Sequence, residues 1–253
     1  MGKEGVLFEI GTEEWLVQTG GRLTFSQALA LSTQGFAQSA RDRLSRSRPD
    51  PDESTRQAAR MAVARKELAV VLDSQRDRVL ERQGHALLNH ACRTYVLGAA
   101  LLSDDLFRRV DHTAAAVAAL THDDGLVHPS TPGSCFTADS VVEANAMMLR
   151  MGASTSSADL ARAAVISHFQ PRLPTQASAD AQLIARGASA DVMGFGLKRL
   201  DPGLTHEVWH EWPDLNLLVE VKELLKGERA RAPRTRPGVL ARSGMPYLLR
   251  SGR

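Results

Sequence analysis

A chain of 253 residues, 43% hydrophobic and 24% charged, has ordinary globular composition and enough length to bury one large core, which excludes intrinsic disorder and a disulfide-built miniprotein. Its 31 basic and 29 acidic residues leave a formal charge of +2, which gives no general mandate to bind nucleic acid. No run of about 18 apolar residues offers a membrane span, the opening lacks a secretory pattern, and Cys92 and Cys135 form no CxxC pair, so a cytoplasmic protein with no membrane partner is expected.

Residues 6–18 alternate weakly through Val6, Phe8, Ile10, Trp15 and Val17 around Gly11, which reads as a short hairpin or two irregular turns. Thr24 can cap a helix running through Ala28 and Leu31 toward Leu44, and the Pro49/Pro51 stretch should end it. From Thr55 the spacing of Ala58, Met61, Ala62, Leu68 and Val71 predicts a helix, followed by a second over about Gln83–Leu102 and a third over Asp104–His122. Gly125 just beyond suits a left-handed cap.

Further along, Thr137 or Asp139 can open a helix that Gly152 stops, and Ser156 with Asp159 can open the next, which reaches Ile166 and His168 before Pro171. Ala179–Ala190 continues helical and presents Asp191, and Leu215–Leu225 makes a last helix. The expected architecture is an all-α bundle, with 1–54 as an N-terminal, mainly helical extension, 55–230 as the core domain and 231–253 as an Arg/Pro-rich tail. The late arginines, Arg229, Arg231, Arg234, Arg236 and Arg242 among them, read as a solvated or subunit-packing segment, which leaves a homo-oligomer open.

The chemistry concentrates at Thr121-His122-Asp123-Asp124-Gly125, at the end of an apolar helix. With His90 one helix earlier and Asp191 later, the chain offers two imidazoles and two carboxylates for one divalent metal with coordination positions left open for water and substrate. Such a metal lowers the pKa of bound water, and the carboxylate of Asp123 can steady that water and accept its proton. The bland alternative for His122 and His168 is a helix-terminal cap. His112 lies nearly three helical turns before the dipeptide and is too remote to join, whereas His128 sits in a loop that could approach. Cys92 reads as packing.

Taken together, Asn89-His90-Ala91-Cys92-Arg93-Thr94-Tyr95, His122-Asp123, Phe136, His168 and Gly187-Ala188-Ser189-Ala190-Asp191-Val192-Met193-Gly194 resemble the HD superfamily of metal-dependent hydrolases, specifically its cyanamide hydratase-like branch. The resemblance runs over roughly Arg82–Pro237 and leaves the N-terminal segment unplaced. It implies an HD-type helical bundle with a mononuclear site of His90, His122, Asp123 and Asp191, holding zinc first, iron or manganese next. It implies that His168 faces the open side and contacts substrate, that Arg93 and Tyr95 hold the ligand helices in register, that Asp124 stands beside the ligands, and that Phe136 walls a small-molecule pocket. Thr137 replaces the acidic residue common in that branch, and Ala91 replaces Ser.

The implied activity is hydration or hydrolysis of a small nitrogen-containing molecule, nitrile to amide, with cyanamide to urea as prototype. An HD-type phosphohydrolase is the alternative: Leu126 stands where many such enzymes carry Lys, but Arg93 keeps it alive. A non-catalytic binding module and a two-iron oxygenase are further readings, the last limited by the scarcity of well-placed histidines.

Overall fold

The computed structural model describes residues 8–44, 48–130 and 132–242. Along them the helices are α1 Glu13–Thr19, α2 Phe25–Leu44, α3 Pro51–Leu101, α4 Asp104–Phe107, α5 His112–Thr121, α6 Asp124–Val127, α7 Phe136–Arg150, α8 Thr155–Ser167, α9 Ala179–Met193, α10 Pro202–Glu211, α11 Leu217–Arg231 and α12 Arg236–Arg242, with a 3-10 turn at Leu197–Arg199. Among the described residues there is no strand, only one isolated bridge between Arg22 and Thr235. The chain is all-α, as expected, and none of these helices is long and apolar enough to cross a membrane.

The two helices expected from Thr55 to Leu102 are one element. Asp50 accepts from the Glu53 N–H at 2.8 Å, Pro51 fills the first turn, and the helix runs to Leu101 through a kink at Gly84. Gly84 has φ 77° and ψ 176°, a backbone state open to glycine and strained for a residue with a Cβ. The kink divides two burial regimes. Before it a single stripe (Met61, Ala64, Leu68, Val71, Val79) is buried; after it nearly every residue from Ala86 to Leu101 is, as for a helix central to a core.

Against this central half lies α9, at a separation set by glycine. A Cβ on Gly187 would stand 1.8 Å from the Thr94 carbonyl oxygen, and one on Gly98 2.2 Å from that of Leu183. Backbone-to-backbone contact of this kind needs two residues without side chains. It is also what brings Asp191, one turn beyond Gly187, alongside His90.

Several boundaries differ from the sequence expectation. Residues 13–19 form α1, capped by Thr12, not a hairpin; the Val6 end of that expectation lies outside the described residues. The expected helix over Asp104–His122 breaks, because Ser103 caps α4 and Asp111, accepting from Ala114 N–H at 3.0 Å, starts α5 afresh. Ser154, not Ser156, caps α8, through the Ser157 N–H at 3.1 Å. Neither Thr137 nor Asp139 caps α7; the Phe136 N–H donates to Glu228 of α11 at 3.0 Å. Gly125 is helical within α6 rather than a left-handed cap, and its lack of a Cβ is needed because one would meet the Phe136 carbonyl at 2.1 Å.

Among the described residues two apolar clusters are buried. The larger joins α3, α5, α7, α8 and α9; the smaller gathers Trp15, Leu23, Phe136, Ile166, Leu225 and Leu240 from both ends of the sequence. The N-terminal segment therefore packs on the core, with the Leu23 N–H donating to the Arg234 carbonyl at 2.8 Å. The expected solvated tail is likewise folded as far as Arg242: Arg236 in α12 is fully buried, lies 4.8 Å over the Trp15 ring and donates to Gln170 and Thr137, each at 3.1 Å. Its planar cation stacks where a lysine could not.

Candidate metal centre

His122 and His168 sit at the C-terminal ends of α5 and α8. Each folds its ring back so that Nδ1 donates to the carbonyl three residues earlier, His122 to Ala119 and His168 to Val165, both at 2.7 Å. These bonds satisfy carbonyls that a helix end leaves open. They also fix the tautomer: Nδ1 carries the hydrogen and Nε2 presents a lone pair to the interior. The capping reading of these histidines is thus met by Nδ1, which leaves Nε2 facing the interior.

His90 reaches the same state by another route. Its Nδ1 donates to Asp191 Oδ2 at 2.6 Å, and Asp191 is gripped from behind by Arg93 (Nε to Oδ1 2.7 Å, Nη2 to Oδ2 2.9 Å). Arg93 Nη1 donates to the Trp212 and Pro213 carbonyls, at 2.7 and 3.1 Å. The result is a carboxylate–histidine relay that aims His90 Nε2 at His122 Nε2, 3.1 Å away, with Asp123 Oδ2 at 3.4 and 3.3 Å from the two.

Two neutral imidazoles whose lone pairs face each other at this distance repel, so the group calls for a positive charge between them. A proton supplies it in one form: although burial opposes the charge, hydrogen bonds to Asp123 and Asp191 raise His90 to about 9. Asp123 stays ionised against the same burial because the His122, His90 and His168 rings surround it. A divalent ion supplies it better. Nitrogen and oxygen donors at about 2.0–2.2 Å around a tetrahedral ion stand roughly 3.3–3.5 Å apart, close to the separations above. His90, His122 and Asp123 are buried and could hold a metal ion.

No protein-family model matches this chain, and no curated protein matches it. The reading of the site therefore stands on its own geometry.

Asp191 is placed differently from the expectation. It does not join the His90, His122 and Asp123 group but lies on the opposite nitrogen of His90, because the glycine-tight crossing of α9 on α3 delivers it to that side. His168 stands next to the group: its ring meets His122 at 4.8 Å between centroids, and its buried Nε2, 3.8 Å from Asp123 Oδ1, has no hydrogen-bond partner among the described residues. Burial, with the neighbouring His122, brings its pKa down to about 3, so it is a neutral acceptor.

The remaining residues form supports. Asp124 is clamped by Arg82 at 2.8 and 2.6 Å, fixing α6 to α3. Tyr95 bonds His112 Nδ1 at 2.8 Å and so ties α3 to α5; it lies outside the cavity. Thr137 serves Arg236 and Cys135, again outside the cavity. His112 is remote as expected, and His128 bonds the Arg82 carbonyl at 2.8 Å rather than approaching the group. Cys92 and Cys135 are free and buried, and burial pushes the Cys92 thiol up to about 12.

His90, His122, Asp123 and His168 open onto a cavity of about 340 Å³, within the range of small-molecule sites. Phe136 is not on its wall; it packs behind His168 at 5.7 Å, and Phe169 takes the wall instead. Ser32 and Gly35 of α2, Val221 and Leu225 of α11 and Leu240 of α12 close another side. Sequence reasoning did not single out Phe169, Gln170, Arg186 or Arg199 in this lining; for Arg186 a signal existed in its helical spacing with Ser189 and Met193, which line the same cavity.

Proposed function

We propose that this chain is a metal-dependent hydratase or hydrolase of HD type, acting on a carbon–nitrogen bond of a small molecule. What supports the reading most is the convergence of His90 Nε2, His122 Nε2 and the Asp123 carboxylate, at metal-like separations, on one end of the cavity. A divalent ion bound there, zinc before iron or manganese, supplies Lewis acidity that makes water nucleophilic near neutral pH and polarises the substrate. Asp123 Oδ1, on the His168 side, accepts the proton of that water. His168 Nε2 accepts a hydrogen bond from water or from a substrate N–H, and so orients the attack. For a nitrile, the water oxygen bonds to carbon and the proton held by Asp123 passes to nitrogen, giving the imidic acid; shift of the remaining O–H proton to nitrogen then gives the amide. The cavity is larger than cyanamide needs, so cyanamide stands as the prototype rather than the chosen substrate. A cytoplasmic setting goes with this reading, given two free cysteines.

The phosphoester alternative is the weaker one. Phosphoryl chemistry wants cationic donors beside the metal, and Arg93, which would supply one, is committed to Asp191 and two carbonyls. The deciding experiment is metal content by mass spectrometry of wild type beside Asp123→Ala, followed by assay of nitriles and phosphate esters. About one ion per chain, lost in the variant, with nitrile turnover is the expected result. A wild type that takes up no zinc, iron or manganese on reconstitution would put the non-catalytic module in front.

A further inference from the structure

Two arginines line the cavity that holds the His90, His122 and Asp123 group. Arg186 of α9 is half-buried and fixed by two neutral acceptors, the Leu101 carbonyl at 2.9 Å and Gln182 Oε1 at 3.0 Å. Arg199, at the end of the 3-10 turn, is exposed. Neither guanidinium makes an ion pair among the described residues, and the only carboxylate on the cavity wall is Asp123 at the metal end. The arginines are close enough to act on one another: burial first, then the charge of Arg199, lowers the pKa of Arg186.

Their place in the fold separates them from the reacting end. Arg186 bonds the carbonyl of Leu101, eleven residues beyond His90 on an unkinked stretch of α3, about 16 Å at 1.5 Å per residue. The rest of the wall is mainly apolar, with Leu126, Phe169, Ala185, Val192 and Met193 among its residues. Arg186, partly desolvated and facing a second cation with no counterion, is costly to keep charged, and an anion between the two offsets its desolvation and their mutual repulsion.

We propose that Arg186 and Arg199 form a recognition subsite for an anionic group, carboxylate or phosphate, carried by the substrate at the end remote from the bond that reacts. The inference rests on the preceding reading of His90, His122 and Asp123 as the reacting end. Its substrate class is an elongated molecule with an apolar middle, an anionic tail and the carbon–nitrogen function at the metal.

Calorimetric titration of the metal-free protein with hexanoate, butyl phosphate and neutral hexanamide tests the subsite, with a separate zinc titration as control. At least one anion should bind about tenfold more tightly than hexanamide, and whichever binds better identifies the tail. Arg199→Gln and Arg186→Gln should each remove most of that preference while leaving zinc affinity unchanged; Arg186→Lys, which keeps the charge, should retain part of it and shows that the site is still folded. Equal binding of anion and amide, or an anion preference that survives both Gln variants, overturns the proposal. An arginine-dependent preference in a protein that takes up no zinc would uphold the subsite and sink the metal reading.

Discussion

At the scale of single residues, each histidine of the site has one nitrogen occupied by structure and the other turned toward its neighbours or the cavity. Asp191 is the clearest instance, since its carboxylate touches only the structural nitrogen of His90. Asp191→Asn keeps the shape and loses the charge, and zinc affinity should fall about ten- to a hundredfold by chelator competition; an unchanged affinity would show that Asp191 does not tune the ligand. Asp180 carries a different consequence. Burial outweighs the hydrogen bond it accepts from the Asp111 N–H and pushes its pKa up to about 6. The folded state thus holds a proton that the unfolded chain releases near pH 4, so this group's stabilisation is full below about pH 4 and is lost as pH rises through 6. Asp180→Asn should therefore be more stable than wild type at pH 7.5, by an amount on the order of 3 kcal/mol, and nearly equal to it at pH 4. Urea unfolding at the two pH values checks this, and a difference independent of pH would exclude it.

The helices decide where those residues meet. Gly187→Ala places a methyl group against the Thr94 carbonyl, which must push α9 from α3. The expected cost is about 1–3 kcal/mol in denaturant unfolding, accompanied by weaker zinc binding because Asp191 moves with α9; a variant with wild-type stability would mean that the crossing is slack. The same crossing marks how far the sequence could be read. Thr24 as a cap, the helical Ala179–Ala190 stretch and the grouping of His90 with His122 and Asp123 follow from local spacing, and all three are present. Which nitrogen of His90 faces Asp191 depends on an interhelical approach that no local pattern encodes. Arg236 misleads for a related reason: in an Arg- and Pro-rich stretch it reads as solvated, and its burial depends on Trp15, more than 200 residues away in the chain. Phe136 was legible as important but not as lying behind His168, since the depth of a ring is set by what packs in front of it.

For the molecule as a whole, the metal group sits beside a large apolar core that does not depend on it. Removing the ion with a chelator should leave helical circular dichroism intact while lowering the melting temperature. With free zinc at about a hundred times its dissociation constant, linkage supplies roughly 2.7 kcal/mol, a shift on the order of 5–10 °C for a chain of this size. Loss of helix on chelation would instead make the metal a folding element, as in a zinc finger.

The cavity wall also has a history in time. His90, His122 and Asp123 leave the ribosome well before Leu240, and α2, which contributes Ser32 and Gly35 from the start of the chain, packs against α12 near its other end. α2 and α12 lie far apart in sequence, so their packing is a non-local contact of the slow kind. The His90, His122 and Asp123 donors come together through contacts that do not involve α2 or α12, so on the proposed reading an ion could be taken up before that side of the chamber is covered.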